Sequence, residues 1–301
     1  MKKLFVALMF FMTSANWAAA QTQVLNIYKG VNLDYLDGTD DDEIWSKVAA
    51  VPVTRKFADE EPTVEAYFKM YYTDDFLYIY VDVKDDVHFP AWVGKADNEK
   101  IQDVHHIYDK VELYFDVNDV LKDGKSPAYL NGYMDPGHYQ VAPYFEEDAY
   151  ESPYLLTGLL YGDLSDQIMV CYALKSDYTS YSMEYEIPLD KFKNDKAEFM
   201  SKDKFLSLPE GLGFDLTIVD NDNDGQGRKR MVWCSNETEV YYNMDTAGVV
   251  KFVDEPATAG IINISAGRTD MPFYTLQGFK VNGRQVTPGL YVRNGKKIVV
   301  R

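Results

Sequence analysis

The 301-residue chain is short of cysteine, histidine and tryptophan, with two, four and four copies, and short of positive charge, with 30 Lys and Arg against 48 Asp and Glu. The deficit is steeper in the body. Residues 21–267 hold 47 acids and 21 bases, whereas residues 268–301 hold one acid and seven bases. A body so acidic repels phosphate backbones, which excludes nucleic acid as a partner of the main domain. Long apolar runs are missing too. Leu4–Met12 is a nine-residue run, well short of the roughly 20 residues needed to span a bilayer, and no later segment is apolar enough to do so. The sequence has no G-x-S-x-G, H-E-x-x-H or P-loop. His88, His105, His106 and His138 fall in no metal-ligand spacing, and no His/Cys cluster supports zinc. What the chain has in quantity is aromatic material, 24 Tyr and 16 Phe, and 46% hydrophobic residues. That composition excludes disorder.

Residues 1–20 have the layout of a secretory signal: Lys2 and Lys3, then the Leu4–Met12 run, then Ala18-Ala19-Ala20 as a small-residue cleavage pattern. The expectation is an exported chain whose mature part starts at Gln21 and spans no membrane. No cysteine follows the cleavage pattern, so a lipoprotein anchor is excluded. Export permits disulfides. Cys171 and Cys234 both lie in strand-like runs, as two buried thiols or as a bridge, and their separation in sequence does not decide which.

Between the ends, apolar residues recur at period two. Val64, Ala66, Phe68 and Met70 alternate with Glu65, Tyr67 and Lys69; Val111, Leu113, Phe115 and Val117 alternate with Glu112, Tyr114 and Asp116. Similar runs occupy 138–145, 167–174, 181–187, 213–220, 229–234 and 248–253, most of them separated by turn signals at hairpin distances. Helical periodicity is weak and confined to Asp190–Lys202. The pattern predicts an all-β, antiparallel β-sandwich of jelly-roll type. The expected organisation is a signal over 1–20, the sandwich over 21–255, a linker over 256–270 and a small β module over 271–301. The stretches 85–108 and 146–165 are irregular and long enough to serve as functional loops.

Two groups of residues carry candidate chemistry. Asp220, Asp222 and Asp224, followed by Gly225, form the front half of a calcium loop, with oxygen ligands on alternate residues. Position twelve of the full EF-hand pattern is Met231 rather than Glu, and the same Asp-Gly sequence suits a hairpin tip without any ion. The second group is aromatic. Sugars present apolar C–H faces, so their sites combine flat rings with carboxylates or amides for the hydroxyls. Trp92 lies in the long loop after the second strand, Tyr108 precedes the strand carrying Glu112, and Tyr241-Tyr242 follow the Trp233 strand. Trp45 and Trp233, in or beside apolar runs, are expected in the core.

Taken in order, these fragments resemble the family 9 carbohydrate-binding modules, which are DOMON-like sandwiches. The matching residues are Asp37-Gly38 with Asp40 and Trp45; Leu77-Tyr78 with Asp85; Asp109, Val111, Glu112 and Asp116; Gly213-Phe214 with Val219-Asp220; and Trp233-Cys234-Ser235. The resemblance covers Tyr35 to Asp254. It implies that Glu112 contacts sugar, that Gln140 stands where the family has a contacting arginine, and that His106 and Tyr241 stand at two sugar-sandwiching tryptophans, Tyr241 being followed by the family's glycine at Gly248. It also implies structural Ca2+. A His and a Tyr offer less stacking area than two tryptophans, and Trp92 is placed to supply a platform from its loop. The tail resembles the C-terminal sorting module of type IX secretion through Leu276-Gln277-Gly278, Val281, Gly289-Leu290-Tyr291 and Asn294-Gly295-Lys296-Lys297, which implies transfer by that machinery and display at the cell surface.

The function expected is non-catalytic recognition of a poly- or oligosaccharide by an exported protein, with Trp92, Tyr108 or Tyr241 stacking and His106, Glu112 and Gln140 hydrogen bonding. The alternatives are a glycoside hydrolase using one of many possible carboxylate pairs, and a structural surface protein without a ligand.

Overall fold

The computed structural model describes residues 23–89, 92–93, 107–124, 137–146, 157–161 and 168–254, together with the strands 273–275, 280–281, 289–293 and 296–300. In chain order the strands of the body begin with β1 (Val24–Tyr28), β2 (Val51–Val53), β3 (Arg55–Lys56), β4 (Glu65–Tyr72), β5 (Phe76–Lys84), β6 (Trp92–Val93) and β7 (Lys110–Asp116). They continue with β8 (His138–Glu146), β9 (Thr157–Tyr161), β10 (Met169–Leu174), β11 (Tyr181–Pro188), β12 (Leu212–Asp220), β13 (Lys229–Val232) and β14 (Gly248–Val253). One sheet has five strands in the order β10-β11-β5-β4-β2. The other has nine: the path β1-β14-β12-β7-β8-β6, with β13 and β3 attached beyond β12 and β9 on β8.

The expected sandwich is the one that forms, and the period-two pattern explains it. Successive side chains point to opposite faces of a strand, so Phe68 and Met70, Leu77 to Val83 at alternate positions, Val111, Leu113 and Phe115, Met183, Tyr185 and Ile187, and Phe214, Leu216 and Ile218 all enter one core. Trp233 closes it edge-on against Phe68, with ring centroids 5.4 Å apart. Each such fully buried apolar side chain contributes about 1.5–3 kcal/mol relative to exposure.

The outer face of the five-stranded sheet is also covered. Leu36, Ile44 and Trp45 pack on Tyr71, Tyr78, Tyr80 and Cys171, so Trp45 is buried outside the main core rather than within it. The cover is pinned by Glu184, a β11 residue with no solvent exposure. One of its oxygens accepts the Asp37 and Gly38 N–H groups at 2.9 and 3.1 Å, and the other accepts Trp45 Nε1–H at 2.8 Å. Gly38 has φ +79° and lies against the Tyr172 backbone, so a side chain there meets both strain and a clash.

Several details depart from expectation. β1 runs parallel to β14, although the hairpin spacing suggested antiparallel pairing throughout. The Asp190–Lys202 stretch forms no continuous helix; a 3-10 turn, Leu189–Lys191, covers only its start. The Asn194 side chain accepts the Lys196 and Glu198 N–H groups and folds a turn with Ala197 at φ +60°, and the helix α1 (Lys202–Leu206) starts only after the Ser201 cap. Cys171 and Cys234, whose state the sequence left open, are both buried thiols rather than a bridge. The tail strands β15 (Phe273–Thr275), β16 (Lys280–Val281), β17 (Gly289–Arg293) and β18 (Lys296–Val300) form a separate four-stranded sheet.

Candidate functional site

The nine-stranded sheet turns a second row of side chains away from the core. On β7 that row is Lys110, Glu112, Tyr114 and Asp116. β12 sets Thr217 opposite Glu112 and Asp215 opposite Tyr114, and β8 sets Gln140 opposite Tyr114. These polar residues are buried because the chain returns over them after β13: Val240, Met244 and Ala247 pack on Tyr114, with Tyr241 beside them. Asp215 holds that return in place. Its carboxylate accepts the N–H groups of Cys234 and Ser235 at 3.0 and 2.8 Å, and burial raises its pKa to about 6. Gly248 ends the return where a Cβ would overlap the Trp233 ring.

The cover is incomplete, and a cleft of about 360 Å³ opens beside it. Its lining includes Glu112, Tyr114, Gln140, Arg228, Arg230 and Tyr241, with Phe57 and Tyr242 at its walls. Polar groups on the floor form a connected row. Gln140 Nε2–H donates to the Tyr114 hydroxyl at 3.0 Å, Tyr114 donates to Glu112 Oε2 at 2.8 Å, and Lys110 Nζ lies 3.2 Å from Glu112 Oε1. Burial works against the Glu112 charge, but Lys110, the Tyr114 hydroxyl and Arg228 outweigh it and hold the carboxyl below its usual range. Burial drives the Tyr114 phenol well above its ordinary pKa, so it remains a donor. Arg230 is spoken for: it chelates Glu60, reaches Glu239 at 2.7 Å and stacks on Phe57 with its guanidinium carbon 3.8 Å from the ring centre. Tyr241 and Tyr242 meet edge to face at 5.1 Å, and Tyr242 is 61% exposed at the rim. One floor atom is unfinished. Gln140 Oε1 is buried without a hydrogen-bond partner among the described residues.

Of the residues expected from the sequence to bind ligand, Glu112, Gln140 and Tyr241 line this one cleft. Tyr108 does not; it packs on Phe89 with centroids 4.9 Å apart. Trp92 pairs through its backbone with Phe145 of β8, while its side chain and the whole of His106 lie outside the described residues. Sequence reasoning passed over Tyr114, Arg228, Arg230 and Phe57. Only Tyr114 had a signal, since period-two alternation places it on the same face as Glu112.

The three aspartates of the calcium-like loop part company. Asp220 is buried and accepts the Thr63 N–H at 2.7 Å, Asp222 pairs with Lys229 at 2.6 Å, and Asp224 is exposed and accepts the Gln226 N–H. The carboxylates that gather instead include Asp85 and Asp86 with Asp222, and Asp85 and Asp109 with His88; within each trio the ligand atoms lie within 4.8 Å of one another. Asp85 Oδ2 and Asp220 Oδ1 are buried and have no hydrogen-bond partner among the described residues. Burial first, and then the neighbouring Asp109 charge, push Asp85 up to about 8. Buried carboxylates crowded together with orphaned oxygens are a donor set that fits a hard cation.

Comparison with known proteins agrees with this architecture. No protein of curated function matches the chain. Among solved structures, a family 9 carbohydrate-binding module from Caldicellulosiruptor kristjanssonii, determined in complex with cellotriose, superposes with a TM-score of 0.51 at 19% identity, covering 81% of this chain and 100% of that one. A family 9 carbohydrate-binding module from the same organism, in complex with glucose, gives 0.52 at 17% identity with the same coverage. At these identities the likeness is one of fold. Family membership rests on the family model for the carbohydrate family 9 binding domain-like proteins, which matches residues 36–255. The chain belongs to the carbohydrate family 9 binding domain-like family.

Proposed function

We propose that the protein binds the sugars of a poly- or oligosaccharide, without cleaving them, in the cleft over Glu112, Tyr114 and Gln140. The observation that carries this reading is the convergence of an ionised carboxylate, an unfinished amide and three tyrosines on one cleft of a family 9 domain. Rings for C–H faces and acceptors for hydroxyls are what a sugar requires. The relatives solved with cellotriose and glucose supply the first probes. The electrostatics favour binding over hydrolysis. A glycosidase needs one carboxylic acid with a raised pKa, whereas Glu112 is held low and Glu239 is tied to Arg230. The test is a panel of cellulose, xylan and host-glycan fragments titrated into the mature protein; no binding at millimolar ligand rejects the reading, and release of reducing sugar favours a hydrolase.

We infer two further properties, a structural cation and a location. A structural Ca2+ held by Asp85, Asp86 and Asp222, with Asp220 alongside, would neutralise the crowded carboxylates and tie the end of β5 to the end of β12. It replaces the Asp220, Asp222, Asp224 set suggested by the loop alone. Chelation is expected to lower the melting temperature and added Ca2+ to restore it, since a ligand at a hundred times its Kd stabilises by about 2.7 kcal/mol. The second property is location. The charged and apolar layout of residues 1–20 and the glycine-turn pattern of the basic tail support export and type IX sorting to the cell surface. Among the described residues no helix is long and apolar enough to cross a membrane. Loss of surface display on deleting residues 271–301 is the expected result.

A further inference from the structure

The row Lys110–Glu112–Tyr114–Gln140 has a direction, and the direction determines what the cleft offers its ligand. An ionised carboxylate only accepts hydrogen bonds. Glu112 is ionised, held so chiefly by Lys110 against the burial that opposes its charge, so the Tyr114 hydroxyl, 2.8 Å away, must spend its one proton on Glu112. The phenol oxygen is then left as an acceptor towards β8. Of the two ends of the Gln140 amide, only the NH₂ satisfies it, at 3.0 Å; the reversed amide would set two oxygens face to face. The carbonyl end is therefore turned the other way, and it is this Oε1, buried in a residue that lines the cleft, that has no partner among the described residues.

We propose that Tyr114 is a positioning residue that fixes the Gln140 amide with its carbonyl towards the cleft, so that this part of the floor accepts hydrogen bonds and selects a ligand presenting a hydroxyl or N–H donor there. The inference rests on the sugar-binding reading for its ligand but not for its geometry. A buried acceptor left unpaired is costly, so a ligand group that can donate is taken and one that can only accept is refused. In a Tyr114→Phe protein nothing dictates the amide's orientation, and the ligand itself can turn it.

Two measurements on the full chain separate this inference from the reading beneath it. The first needs no ligand. In the NMR spectrum the Gln140 side-chain NH₂ should show slow exchange and Overhauser contacts to the Tyr114 ring, and Tyr114→Phe should lose that protection while the backbone spectrum stays folded. A freely exchanging NH₂ in the wild type overturns the proposal whatever the protein binds. The second uses glucose and its monodeoxy and monodeoxyfluoro analogues in calorimetric titrations. Fluorine can accept weakly but cannot donate. At the position facing Gln140, identified as the one whose replacement no longer matters in Gln140→Met, the wild type should lose about tenfold in affinity for the deoxy and fluoro sugars alike, which corresponds to the loss of one good hydrogen bond. Tyr114→Phe should bind the fluoro sugar within about threefold of glucose, a change in selectivity that simple loss of packing does not produce. If wild type and Tyr114→Phe share one selectivity, the proposal fails although sugar binding stands. If glucose and every analogue fail to bind while the amide contacts are seen, glucose recognition fails and the amide geometry stands.

Discussion

Each sheet of the sandwich carries a buried glutamate on its outward side, and the two have opposite surroundings. Glu184, on the five-stranded sheet, is capped by three N–H donors of the 37–45 segment and burial drives its pKa up to about 8. Glu112, on the nine-stranded sheet, is held ionised by a lysine and a phenol, beside an amide oxygen with no partner among the described residues. Both are buried, so burial alone does not mark a site. The difference is completion. One face is finished by the protein's own chain, while the other leaves an open cleft and a polar group with no partner among the described residues.

The comparison can be broken most forcibly at the finished face. Trp45→Ala removes the largest side chain of that cover and its bond to Glu184. It should cost about 3–5 kcal/mol of stability, read as a lower urea midpoint, while sugar affinity measured well below the new melting point stays within about twofold. A large loss of affinity would mean that the two faces are not independent. A smaller effect sharpens the contrast through pH. Because the folded-state pKa of Glu184 is raised, its proton is held by the fold; the stability it contributes is complete below the ordinary carboxyl range and is lost as pH rises through about 8. Melting temperature should therefore fall between pH 6 and 8, and Glu184→Gln should flatten that slope whatever its own melting temperature. The smallest effect belongs to the open face. Tyr241→Ala removes a ring from the cleft wall and should weaken sugar binding by about 0.5–1.5 kcal/mol, with little change in thermal melting.

How much of this was legible from the sequence follows from the range of the forces involved. Alternation along β7 is local, so both the strand and the outward position of Glu112 were readable from KVELYFD. Alternation does not say which layer a buried side chain enters when both faces are covered, so Trp45 was readable as core but not as part of the second cluster, over the outer face. Its cover depends on Glu184, 139 residues away. The cleft shows the same limit. Glu112, Gln140 and Tyr241 came from the spacing of a family pattern, but Arg230 reaches the site by pairing with Glu60, 170 residues distant, and nothing local announces it. The calcium-like loop was misleading for a related reason. A D-x-D-x-D-G string is local, whereas the fold brings Asp222 to Asp85 and Asp86 at the end of a strand in the other sheet.

The most direct test of the account is calorimetric titration of cellotriose and glucose into the wild type and a Glu112→Gln protein side by side, with thermal melting to confirm that both are folded. The account predicts one binding site in the wild type and an affinity about 10–150-fold lower in Glu112→Gln, the value of a hydrogen bond to a charged group. Equal affinities in the two folded proteins would place the sugar site elsewhere and contradict it.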